Sequence, residues 1–146
     1  MKIRQDFVTN SSSSSYVIAF KKTPEVDEDT LKKYPWLKGY SELVERALLA
    51  EGDYSDTNKG TIVRNQDELD SEFIEKYGWC DDKTVEDVIS HDDEGMYEMY
   101  QNMQNHINNG FNILFKDIDN NDSVYQNIIR DMAANNDSVV ILEDWG

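Results

Sequence analysis

Three strongly apolar runs, at residues 16–20 (Tyr-Val-Ile-Ala-Phe), 111–115 (Phe-Asn-Ile-Leu-Phe) and 139–142 (Val-Val-Ile-Leu), constrain the fold of this chain more than anything else in it. Each is shorter than a typical helix, so the runs at 16–20 and 139–142 read as buried strands and the run at 111–115 as a strand. Between the last two, Val124, Tyr125, Ile128, Ile129, Met132 and Ala133 make one helical stripe. A strand, a helix and a strand joined by short links predict a βαβ unit, with the two strands parallel and the crossover right-handed.

Thr61-Ile62-Val63-Arg64 reads as a fourth, short strand, and helical spacing recurs between the strands. Leu31 and Tyr34 share a face that Pro35 ends. Ser41 caps a helix whose stripe is Leu43, Val44, Ala47 and Leu48, ending by Gly52. Asn65 or Asp67 opens another, built on Leu69, Phe73, Ile74 and Tyr77 before Gly78. A third starts near Thr84 with Val85, Val88 and Ile89, breaks around Gly95, and resumes with Met96, Tyr100, Met103 and Ile107 up to Gly110. The expected fold is α/β or α+β: a mixed sheet of about four strands packed by helices, with a parallel βαβ unit at the C-terminus. At 146 residues there is material for one core, so residues 16–146 read as a single acidic domain and residues 1–15, ending in five serines, as a flexible arm.

The opening Lys2-Ile3-Arg4, followed by Phe7-Val8-Thr9-Asn10, the serines 11–15 and Tyr16, resembles a block that begins many uncharacterised proteins of Gram-positive bacteria and their phages. The resemblance covers about the first 20 residues and carries no established chemistry. It implies a phage, mobile-element or accessory bacterial setting. The apolar bookends Phe7-Val8 and Tyr16 suit a recognition segment, whereas the serines alone suit a linker.

With 38% hydrophobic and 11% aromatic residues, the chain has enough apolar material to fold despite 30% charged residues. No run approaches the roughly 18 apolar residues of a membrane span and no secretory leader is apparent, so the expected location is the cytoplasm. The single Cys80 allows no internal disulfide. The net charge is −16, and Lys2, Arg4, Lys21 and Lys22 against Asp6 leave the first 23 residues at +3, so the remainder carries −19. A body that acidic repels nucleic-acid phosphates and anionic lipid and attracts a basic protein.

The seven glycines are isolated, which excludes a P-loop and a dinucleotide fingerprint, and there is no Gly-x-Ser-x-Gly elbow. His91 stands beside acidic residues, but His106 is 15 residues away, about 22 Å along a continuous helix. Asp117, Asp119 and Asp122 leave one predicted strand, and Glu143 and Asp144 leave its parallel partner at the same edge, where α/β folds place ligands. No cofactor is expected from the sequence, apart from a divalent cation for which those five carboxylates are the candidate site. They do not form a calcium loop, because position six is Asp122 rather than Gly and position twelve is Ile128 rather than Glu.

Residues 84–115 hold six acids, Glu86, Asp87, Asp92, Asp93, Glu94 and Glu98, and no Lys or Arg. They are the candidate partner-binding face. The leading expectation is therefore a non-enzymatic binding or inhibitor module that engages a basic partner, by nucleic-acid mimicry where that partner holds phosphates, with a dispensable arm. A divalent-metal hydrolase or transferase acting through the sheet-edge carboxylates, and a virion or assembly component, are the alternatives.

Overall fold

The run at residues 16–20 lies at the centre of the protein. The computed structural model describes residues 13–49, 60–91, 94–119 and 123–145. In chain order these form β1 (Ser13–Lys21), α1 (Glu28–Lys33), a 3-10 turn (Pro35–Gly39), α2 (Ser41–Leu49), β2 (Thr61–Val63), α3 (Gln66–Tyr77), α4 (Val85–Ser90), α5 (Glu94–Asn108), β3 (Phe111–Asp119), α6 (Ser123–Asn135) and β4 (Val139–Trp145). The four strands make one sheet in the order β2-β3-β1-β4.

Every ladder in this sheet is antiparallel, which corrects the parallel βαβ unit expected at the C-terminus. β3 and β4 do not pair with each other. β1 lies between them, with Val17 opposite Phe115 on one side and Glu143 on the other. The physical reason is burial. Tyr16 to Phe20 are apolar on both faces and at most 1% exposed, and only an interior strand of a sheet covered on both sides hides such a run. α6 therefore connects two strands that point the same way but flank a third.

Helices cover both faces of the sheet, giving an α+β protein of three layers. On one face Val17, Ala19, Ile113, Phe115 and Val63 meet Leu69, Phe73 and Tyr77 of α3, Val85 and Val88 of α4 and Met96, Met99 and Met103 of α5. On the other, Tyr16, Ile18, Phe20, Leu114 and Val139 meet Leu37, Val44 and Leu48 and the α6 residues Ile128, Ile129 and Met132. Alternation along β1 divides it between the two cores, as a period of two requires.

Local signals set the helix ends. The Asn65 side chain accepts the Glu68 N–H at 2.9 Å, and α3 stops at Gly78, where a Cβ would lie 2.4 Å from the Ile74 carbonyl oxygen. Thr84 and Asp87 close a capping box over the first turn of α4. The break expected around Gly95 falls earlier, at His91, and Gly95 lies in the first turn of α5. The strands run further than the apolar runs that announce them: β1 starts at Ser13, inside the serine block, while residues 1–12 of the expected arm lie outside the described residues. Gly52, expected to end α2, lies outside them as well. Among the described residues no helix is long and apolar enough to cross a membrane.

Candidate functional site

Of the expected metal carboxylates, Asp117, Glu143 and Asp144 lie among the described residues, at one end of the sheet on the two strands that flank β1. Asp117 lies on β3 opposite Ser15 and accepts its hydroxyl at 2.6 Å. Asp144 lies on β4 opposite Tyr16 and takes the Arg130 guanidinium at 3.2 Å, with that guanidinium 5.9 Å over the Tyr16 ring. Glu143, its neighbour along the strand, faces the other side of the sheet, and burial pushes its carboxyl above the ordinary range. β1 separates Asp117 from Glu143, so their strands are about 10 Å apart. Asp122 and the side chain of Asp119 lie outside the described part. Among the described residues no group of three His, Cys, Asp or Glu side chains converges as a metal site requires.

The expected partner-binding face is also partly committed. The Asp87 carboxylate accepts the backbone N–H groups of Lys83 and Thr84 at 3.0 and 3.1 Å, bonds that hold its pKa below the usual carboxylate range. Glu86 and Glu98 are exposed, whereas Asp92, Asp93 and the side chain of Glu94 lie outside the described part.

Both histidines are held by the fold. His91 Nε2 lies 2.6 Å from an oxygen of the nearly buried Asp82 carboxylate, whose other oxygen accepts the Trp79 N–H at 2.7 Å. The His91 ring stacks flat on Trp79, with centroids 3.7 Å apart and planes within 6°. The clasp ties the loop after α3 to the end of α4, and Cys80 beside it is exposed. His106 Nδ1 lies 2.8 Å from the Asn102 carbonyl oxygen, with its ring edge-on to Phe111. A further polar knot joins α3 to α5. Tyr100 donates to Asp70 at 2.6 Å, and Gln66 Nε2 lies 2.8 Å from both. Burial, then the bond to Asp70, pushes the Tyr100 phenol up to about 12.

Sequence reasoning missed a groove between β2 and α3. It is lined by Thr61, Ile62 and Val63 of the strand and by Asp67, Glu68, Ser71, Glu72 and Glu75 of the helix. β2 is an edge strand: among the described residues it pairs with β3 alone, Thr61 opposite Phe115 and Val63 opposite Ile113. The two-residue link at Arg64 and Asn65 turns the chain from strand to helix, and Glu68 fixes it by accepting the Arg64 N–H at 2.8 Å. Leu69, Phe73 and Tyr77 take α3 into the core, which leaves 68, 72 and 75 as an acidic row on its flank. Glu72 is half-buried there. Burial pushes its carboxyl above the ordinary range, Lys76 pulls it back, and Glu75 adds to the rise. The spacing of the row was visible in the sequence, but its position beside β2 was not.

A second groove, lined by Phe111, Ala133, Ala134, Asn136, Asp137 and the start of β4, holds a single carboxylate. No protein-family model, curated protein or solved structure matches this chain.

Proposed function

We propose that this protein is a non-enzymatic binding or inhibitor module that takes a basic segment of a partner protein into the groove between β2 and α3. The observation that carries this reading is the gathering of Asp67, Glu68, Glu72 and Glu75 along one groove, inside a body of strongly negative charge. Long-range attraction from the whole body speeds encounter with a cation, and the half-buried Glu72 adds a contact that bulk salt screens less than a fully solvated one. Glu86 and Glu98 extend the acidic field without lining the groove. A partner whose basic surface otherwise holds nucleic-acid phosphates fits this charge, and the resemblance of the opening block suggests a phage or mobile-element setting.

The test is fluorescence anisotropy of a labelled lysine-rich peptide against the wild type, the triple variant Glu68→Gln, Glu72→Gln, Glu75→Gln, and the pair Glu86→Gln, Glu98→Gln. Glutamine keeps the oxygen that accepts the Arg64 N–H, so the α3 start survives in the triple variant. The expected result is affinity that falls steeply with salt and drops about tenfold or more in the triple variant, against little change in the pair. Full affinity in the triple variant, or a loss confined to the pair, overturns the groove as the site.

A further inference from the structure

The groove has one wall that is not a side-chain surface. Among the described residues β2 ends the sheet, so half of its peptide groups point away from β3, toward the space that the acidic row of α3 overlooks. An edge strand beside a helix is a geometry in which an extended peptide can add to a sheet, its main chain supplying affinity and alternate side chains specificity.

We infer that the occupant is an extended segment that pairs with β2 as a fifth strand, carrying Lys or Arg at every second residue on the side of α3 and apolar β-branched residues between them. The inference rests on the proposed basic-partner reading and specifies the partner for the same groove.

Spacing supports it. Side chains on one face of a strand recur about every 6.8 Å. Along α3, Glu68 and Glu72 are separated by about 6 Å of rise and Glu72 and Glu75 by about 4.5 Å, so flexible cationic side chains two residues apart reach successive members of the row. The faces agree as well. Val63 is buried in the core that α3 shares, whereas Ile62 is half-buried against the opposite core. A neighbouring strand inherits that alternation, placing its cations over the acidic helix and its apolar residues beside Ile62. The charge matches, because a cation entering beside the half-buried Glu72 adds to the partial compensation that Lys76 gives against burial and the neighbouring Glu75.

The experiment uses the whole protein and three peptides of equal charge. The first is a capped peptide of alternating lysine and valine. The second and third are N-methylated on every valine or on every lysine. With the lysines held toward α3, one of these two sets of N–H groups faces β2 and the other faces solvent. The expected result is that one methylated peptide binds about tenfold or more weaker than the parent and the other within about threefold. Binding of the parent should also slow amide hydrogen exchange in β2. Equal affinity of all three, or equal loss in both methylated forms, overturns strand addition while leaving the basic-partner reading in place. Failure of the unmodified peptide to bind overturns both.

Discussion

The Ser15 hydroxyl donates to the Asp117 carboxylate at 2.6 Å, between two residues that face each other across β1 and β3 and are 102 positions apart in the chain. The bond makes the end of the serine block part of the central strand, since Ser13 to Ser15 pair with β3 and Ser15 also pairs with β4. An N-terminal truncation through Ser15, which an arm would tolerate, should therefore abolish cooperative urea unfolding. Ser15→Ala should cost about 1 kcal/mol through loss of the bond to a partly buried carboxylate. A truncated chain as stable as the parent would contradict this placement.

Tyr100 gives a prediction at alkaline pH. Its phenol is pushed up to about 12 in the folded protein, whereas an unfolded tyrosine ionises near ~10. Between those values the folded state holds a proton that the unfolded state has released, so this stabilisation is complete below the lower value and is lost as pH rises through the higher one. Burial also raises the phenols of Tyr16 and Tyr34, so phenolate absorbance should show several tyrosines ionising late, and Tyr100→Phe should shrink that late phase by one tyrosine and lessen the alkaline loss of stability.

Gly60 is required by space alone. A Cβ there would stand 2.7 Å from the Phe115 carbonyl oxygen and 2.9 Å from Leu114, so the chain entering β2 could not keep its approach to β3. Gly60→Ala should lower stability by about 1–3 kcal/mol in urea titrations, with hydrogen exchange in β2 rising more than in β1.

The Trp79–His91 stack predicts a spectroscopic change. His91→Ala uncovers one face of an indole whose residue is already 56% exposed, and leaves the nearly buried Asp82 carboxylate without its ring partner. Tryptophan emission should shift to the red, and stability should fall by about 1–3 kcal/mol. Unchanged emission would show that the ring is not held against Trp79 in solution.

What could be read from the sequence divides along physical lines. Stripes such as Leu69-Phe73-Tyr77, and the Asn65 cap, are local, so the helices lie near where spacing puts them. Strand neighbours are not local. The run at residues 16–20 announced a buried strand, but nothing adjacent in sequence says that it separates β3 from β4, and the order strand-helix-strand invites a parallel pair instead. The strands also run past their apolar cores into Ser13 to Ser15, Asp117, Glu143 and Asp144, because ladder hydrogen bonds do not depend on the side chains. The same gap hid the groove. Glu68, Glu72 and Glu75 share a flank of one helix by local spacing alone, but only the tertiary fold sets the edge of β2 beside them. It hid the His91 clasp too, whose partners Trp79 and Asp82 belong to the preceding loop.

The most direct test of the central claim is amide chemical-shift mapping of the isotopically labelled protein during titration with the alternating lysine-valine peptide at low salt. The account predicts shifts concentrated in β2 and in α3 from Asp67 to Glu75, fading as salt is raised. Shifts confined to α4 and α5, or scattered over the acidic surface without focus on the groove, would contradict it.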